Sequence, residues 1–566
     1  MNKQPTPNTT DTAQQVSWLA MGVIVLAQIQ MAFNVNAIPV SIGPIVEELN
    51  IPSTSVGTAL VVYSLFVAAF VMVGAKLGKI FGERLVFQVM VLAHGAAMGM
   101  MAFSSSAEMM NLSQALAGLA AAALVPTLVV LIAFNYQGKQ KAQALGILAG
   151  SPALAGALAF FIAGFLGTVL SWRYSFGLLL FLSVIIFVLS FRLKPVPRQS
   201  GVKIDFIGAA LAAIGIILIS FGFNNLNMWG VVLANADAPF NLLGLSPALL
   251  FIIFGLMLGQ AFFAWSQQRV ALDKPPLLPL EVLNTSHERA TIVALLIIGA
   301  LGPAVNFLIP LYIQIVQGQT SLFTAVAVVP YTLSIATAAI TIVRLYDRLT
   351  PRRIAVVAFF LVAVGLTSLA FTISNEWGTP MVILSLIVLG LAEGALLTLL
   401  FNVMVSSSPK EMAGDVGALR GVANNLSTAL GTAFAGLVAV GLLGLIVTTS
   451  LVQAPIPDTL KRQVNLDSID FISNDQLDEV LAETTATPEQ VATAVQINEA
   501  ARLRALRASF LILAGFSLLA IFPALGLPDY NPDDPPAPRP TAKPDKRSKK
   551  PARAKGRQRS SFKSHE

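Results

Sequence analysis

The sequence holds no cysteine, only three histidines, and few charges for its length. Asp, Glu, Lys and Arg make up 11% of its 566 residues, against about 25% in soluble domains. Without cysteine there are no disulfides and no thiolate metal sites. His94, His287 and His565 are too scattered to form a metal cluster. There is no Gly-rich phosphate loop, and no polar stretch is long enough to be a nucleotide-binding domain. Enzyme chemistry and ATP-driven pumping are therefore not expected, and no cofactor is. So few charges cannot cover a chain of this size with a water-facing surface.

What is present is apolar. Hydrophobic residues make up 55% of the chain, and the mean hydropathy is +0.74. A membrane-spanning helix needs about 20 mostly apolar residues. Fourteen such runs stand near 18–40, 55–77, 85–104, 111–134, 143–167, 174–193, 205–225, 247–265, 291–313, 323–343, 354–374, 380–404, 416–449 and 505–526. Backbone amides in hydrocarbon find no water, so such runs must be helical. The expected fold is an all-α integral membrane protein with fourteen transmembrane helices. The first run is too long for a signal-peptide core and lacks a basic flank, so it is expected to be retained.

Lys and Arg give these helices a direction. With loops alternating sides, 30 of the 36 fall on the side of the amino terminus. The other side holds Arg173, Lys461, Arg462, Arg502, Arg504 and Arg507. The positive-inside bias then puts both termini in the cytoplasm and the chain in the cell (inner) membrane as a multi-pass protein. The basic excess is read as topology, and no nucleic-acid partner is expected. Residues 450–500 form an acidic outer loop in which Thr487-Pro488-Glu489-Gln490 reads as a helix start. The tail from Pro528 onward, rich in Pro, Lys and Arg, is expected to be disordered.

The chain repeats itself. Ala75-Lys76-Leu77-Gly78-Lys79 and Val343-Arg344-Leu345-Tyr346-Asp347-Arg348 are short basic loops after the second and tenth spans. Asn36-Ala37-Ile38-Pro39 in the first span rhymes with Asn306-Phe307-Leu308-Ile309-Pro310 in the ninth. This spacing implies two six-helix bundles plus two extra helices. The divisions are a cytoplasmic segment 1–17, a first bundle 18–193, two linker spans in 194–290, a second bundle 291–526, and a basic cytoplasmic tail 527–566. Internal repeats are common in transporters, which bind substrate near the midplane between the halves.

Arg344-Leu345-Tyr346-Asp347-Arg348 with Arg352-Arg353, Ser171-Trp172-Arg173-Tyr174, Pro310-Leu311-Tyr312-Ile313-Gln314 with Gly318, and Pro276-Leu277-Leu278-Pro279-Leu280 carry a family likeness. Together they resemble the major facilitator superfamily, in its fourteen-span drug:proton antiporter branch, over roughly residues 18–526. The sequence departs from that pattern at several places. Lys79 stands at the family's inner-loop aspartate, Gln30 near its first-span aspartate, and Gln114 at its fourth-span arginine. Ala159-Phe160 replaces its fifth-span Gly-Pro pair. The resemblance implies the fold; these departures weaken what it implies about proton-coupled drug export.

Among 29 carboxylates only Glu393, in Gly390-Leu391-Ala392-Glu393-Gly394, falls near the middle of a span. An ionisable group there costs about 2.5–3.5 kcal/mol on insertion scales and marks function by default. Glu393 is the proton-coupling candidate, and it could also attract a cationic substrate. A protonated Glu393 bonded to a neighbouring helix is the packing alternative. Gln30, Asn34, Asn36, Gln114, Asn306, Asn402, Asn424 and Asn425 are the substrate-cavity candidates, since amides in hydrocarbon must find partners. Asp347, Arg348 and Arg420 are the gating candidates. Arg420, about one turn into the thirteenth span, is expected to snorkel to the cytoplasmic surface, although pairing with Glu393 is also open. His94 is read as a packing histidine.

The expected function is secondary transport of a small organic solute, lipophilic or cationic, by alternating access. Efflux is favoured, the protein is a monomer in the lipid bilayer, and protons are a candidate coupling ion. An uncoupled facilitator is the first alternative; a non-transporting membrane sensor or scaffold is the second.

Overall fold

The computed structural model describes residues 18–136, 138–198, 204–277, 285–345, 348–376, 380–406, 413–453, 471–482 and 484–529. Most of the acidic segment before 471 and the tail after 529 lie outside these residues, as does Asp347. Among the described residues there is no strand; fourteen long helices make the fold. In chain order they are α1 (Leu19–Val40), α2 (Ser53–Phe81), α3 (Glu83–Ala102), α4 (Ala107–Asn135), α5 (Gly138–Val169), α6 (Arg173–Ser190) and α7 (Phe206–Asn224). There follow α8 (Pro247–Ala271), α9 (Ser286–Leu311), α10 (Ser321–Thr341), α11 (Pro351–Thr372), α12 (Pro380–Ser406), α13 (Ala413–Gln453) and α14 (Pro488–Leu519). Thirteen are long and apolar enough to cross a membrane, and α5 carries the shorter apolar stretch Leu154–Val169. This is a multi-pass membrane protein.

Helix starts follow local chemistry. Ser106, Asp205, Ser246 and Thr320 accept hydrogen bonds from first-turn amides of α4, α7, α8 and α10, satisfying donors the helix itself leaves open. Thr285 with Glu288 and Thr487 with Gln490 make reciprocal capping boxes. The helix expected at Thr487 forms, and it runs without a break into the last span.

The packing has a two-fold pattern. In the first six helices α1 packs on α5, α2 on α4, α3 on α4, and α3 on α6. In the last six the corresponding pairs are α9 on α13, α10 on α12, α11 on α12, and α11 on α14. The two sets meet along two seams, α2 against α13 and α5 against α10. The hairpin of α7 and α8 lies over one of these seams: α7 touches both α2 and α13. Asn224 bonds Thr58 of α2, and Asn227 bonds the Gly436 carbonyl of α13. At the other end of α7, Asp205 holds Trp265 and Arg269 of α8.

Chain alternation puts the ends of α1, α5 and α9 and the start of α10 at one level, away from the basic loops. There the halves are tied. Gln314, in the π-helical turn Tyr312–Val316 that continues α9, accepts from the Gly43 amide at 2.8 Å and donates to the Val40 carbonyl at 2.9 Å. The Leu322 amide of α10 donates to Thr168 of α5 at 3.0 Å. The same turn is held from behind: Arg502 of α14 donates to the carbonyls of Ile315 and Ile472 and to Asn474.

Candidate functional site

Glu393 lies at the junction of α9, α10 and α12 and is only 7% exposed. The phenol of Tyr331, on α10, donates to its Oε2 in a short hydrogen bond. Room for the carboxyl comes from Gly302 on α9, where any Cβ would run into Oε1. Gly390, one turn before Glu393, lets α12 approach the Tyr331 carbonyl directly. A carboxyl placed this way is buried, hydrogen-bonded to Tyr331 alone among the described residues, and built into a close three-helix contact.

The first half contains the same frame without the acid. Gly118 of α4 packs on the Tyr63 carbonyl and the Phe66 side chain, as Gly390 packs on the Tyr331 carbonyl and Ser334. The local sequences agree: Gly118-Leu119-Ala120-Ala121 against Gly390-Leu391-Ala392-Glu393. Ala121 therefore stands where the repeat has Glu393, and Tyr63 stands where it has Tyr331. Sequence reasoning missed both tyrosines. The repeated Gly-Leu-Ala was the available signal, with a tyrosine in the preceding packed helix of each half.

Several cavity candidates turn inward. Gln30 is 1% exposed. Its amide donates to His94 Nδ1 of α3 at 2.8 Å and to Ser183 Oγ of α6 at 2.6 Å. Asn34 and Gln114 are buried and bond each other, amide to amide, at 2.8 and 3.2 Å. These three residues join helices within the first half, away from the seams. His94 is fully buried and held by Gln30, and its Nε2 meets no partner among the described residues.

The other amides spread out. Asn36 bonds back to the Ala32 carbonyl and lies near Gly156 of α5. Asn425 bonds the Gly421 carbonyl. Asn306 and Asn402 are half-buried, and Asn424 is exposed. Arg348 is exposed and its backbone amide bonds the Leu345 carbonyl; the other gating candidate of this loop, Asp347, lies outside the described residues. Arg420 does not pair with Glu393. Its guanidinium lies 3.8 Å from the centroid of the Phe401 ring of α12.

Two helical sets with matched packing, a polar group buried at mid-span, and interfaces tied at one end are the architecture of a membrane transporter built from repeats. The profile of the Major Facilitator Superfamily matches residues 24–432, and the chain belongs to that family. It is a secondary transporter of small organic solutes. Curated relatives include a probable actinorhodin transporter of Streptomyces coelicolor, 24% identical over 77% of this chain and 74% of that one. The puromycin resistance protein pur8 of Streptomyces alboniger is 26% identical over 75% and 82%. The multidrug efflux pump LfrA of Mycolicibacterium smegmatis is 26% identical over 76% and 82%. Among solved structures, a bacterial homologue of the human lysosomal transporter Spinster, inward-facing and occupied, has a similar fold. It superposes with a TM-score of 0.56 at 15% identity, covering 88% of this chain and 96% of that one.

Proposed function

We propose that this transporter exports a small organic solute across the bacterial inner membrane in exchange for protons, with Glu393 as the proton carrier. It works as a monomer in the bilayer, with both termini cytoplasmic. The two bundles, 18–193 and 291–526, rock about a midplane site while the linker spans in 194–290 ride beside them. The observation that carries this reading is Glu393 itself: a carboxyl sunk among α9, α10 and α12 with one phenol partner. Loading a proton there cancels a charge that hydrocarbon penalises. A carboxyl in direct contact with three helices couples that event to their packing. The direction is supported by the curated relatives, several of which are named for efflux or resistance. The conformation described is tied at the end away from the basic loops, which fits a cavity open to the cytoplasm.

The test is transport in proteoliposomes with an imposed pH gradient. Glu393→Gln keeps the size and a hydrogen-bond acceptor for Tyr331 but cannot cycle a proton. It is expected to abolish gradient-driven accumulation while leaving downhill exchange. Accumulation at the wild-type level in this variant would rule Glu393 out as the carrier. Wild-type flux indifferent to the gradient would favour an uncoupled facilitator. Flux that survives removal of both the acidic outer segment and the tail disposes of a scaffold role.

A further inference from the structure

The buried carboxyl is occupied by its own protein, while Arg420 carries a positive charge with no carboxylate partner among the described residues. Arg420 is the eighth residue of α13. Its guanidinium carbon lies 3.8 Å over the ring centroid of Phe401 in the neighbouring α12, a cation–π contact that holds the charge against the ring. A guanidinium offers five N–H donors and no acceptor. Among the described residues none of those donors meets a carboxylate or carbonyl, and the side chain is exposed. Leu419 and Val422, beside it, pack toward α2 and α7, so Arg420 leaves the helix by a different face. Asn424, one turn further, is on the Arg420 face, is also exposed, and its amide has no partner among the described residues. Asn425, next to it, satisfies itself on its own helix. A ring-backed guanidinium with an amide one turn deeper, neither partnered among the described residues, is an arrangement suited to recognising a polar group.

We infer that Arg420, Phe401 and Asn424 form a subsite for an anionic oxygen group, a carboxylate or phenolate, on the transported solute. The guanidinium takes the two oxygens side by side, its free face stacks on a planar ring, and Asn424 bonds the adjacent part of the solute. This turns the substrate class away from the cation that Glu393 alone would suggest, because Tyr331 already holds that carboxyl. The inference rests on the transport reading above. The same chemistry could be met by a lipid phosphate, so the experiment separates the two.

The full chain is reconstituted in phosphatidylcholine alone, and binding of carboxyfluorescein, a planar aromatic anion, is read by fluorescence anisotropy, with ethidium as the planar cation. Carboxyfluorescein is expected to bind the wild type and to weaken at least tenfold in Arg420→Gln. Arg420→Lys and Phe401→Leu should fall between, since each keeps part of the site and serves if Arg420→Gln fails to fold. Arg192→Gln, which removes an exposed charge elsewhere, should bind as the wild type does, and ethidium should not respond to Arg420→Gln. Equal anion affinity in the wild type and in all three site variants overturns the inference. So does retention of phosphatidylglycerol by wild type but not by Arg420→Gln in native mass spectrometry, when carboxyfluorescein does not bind. A wild type that binds the anion but moves neither probe under any gradient would sink the transport reading and leave the subsite standing.

Discussion

Tyr331 and Tyr63 hold equivalent places in the two halves, but only Tyr331 faces an acid. Each lies with its carbonyl against a glycine of the helix packed on it, Gly390 or Gly118. Three residues past that glycine stands Glu393 in one half and Ala121 in the other. The two halves thus share a packing frame and differ in whether it holds an acid. Removing the phenol donor by Tyr331→Phe leaves a buried carboxyl without its partner. Hydrogen bonds to charged groups contribute about 1.5–3 kcal/mol. The melting temperature should fall accordingly in Tyr331→Phe and stay near wild type in Tyr63→Phe, measured by differential scanning fluorimetry in detergent.

Gly302 is the space Glu393 occupies, so the two should be energetically coupled. Gly302→Ala places a methyl in the carboxylate, and overpacking of this kind costs about 1–3 kcal/mol. In Gly302→Ala/Glu393→Ala the added methyl meets no carboxylate. The double variant should therefore lose less stability than the two single losses added together. Strict additivity in a thermal-denaturation cycle would show that the contact is not tight.

Gln314 ties the ends of α1 and α9, and its loss should release that end. Gln314→Ala removes the bonds it makes across the halves, from the Gly43 amide and to the carbonyls of Val40 and Pro39. A shift of about 1.4 kcal/mol in the balance of conformations is tenfold in population. The chain has no cysteine, so Asn306→Cys gives a single reporter on half-buried α9. Its labelling by an impermeant thiol reagent from the Gln314 side should rise several-fold in the Gln314→Ala background.

Asn34 and Gln114 should behave as a packing pair. Gln114→Leu alone strands the Asn34 amide, at about 1–3 kcal/mol. Replacing both with leucine should recover most of that stability and keep transport. If Asn34→Leu/Gln114→Leu were stable yet inactive, the pair would belong to the substrate path after all.

The architecture was legible because hydrocarbon leaves a chain few choices. Run lengths, basic loops and the Thr487 cap each describe a local demand that one helix answers alone. Glu393 was legible for the same reason, since a lone mid-span carboxyl needs no partner to be conspicuous. The amides were harder. Gln30, Asn34 and Gln114 sit in helices whose apolar residues surround them on every side, so no periodicity tells which neighbour each amide faces. Arg502 looked like one more outer charge, yet it is fully buried, and its targets are two backbone carbonyls and Asn474. Carbonyls carry no signature in a sequence. The Arg420–Phe401 contact joins α12 to α13 across residues 407–412, and no spacing rule reports a ring under a guanidinium.

The hairpin of α7 and α8 gives the molecule a spine. It is stitched to α2 through Asn224 and to α13 through Asn227, while no such cover lies over α5 and α10 among the described residues. Two leaves bound along one edge travel least at the binding and most at the free margin. Opening should thus resemble the turning of a page rather than the even parting of two hands, with spin-label distances changing more across α5–α10 than across α2–α13.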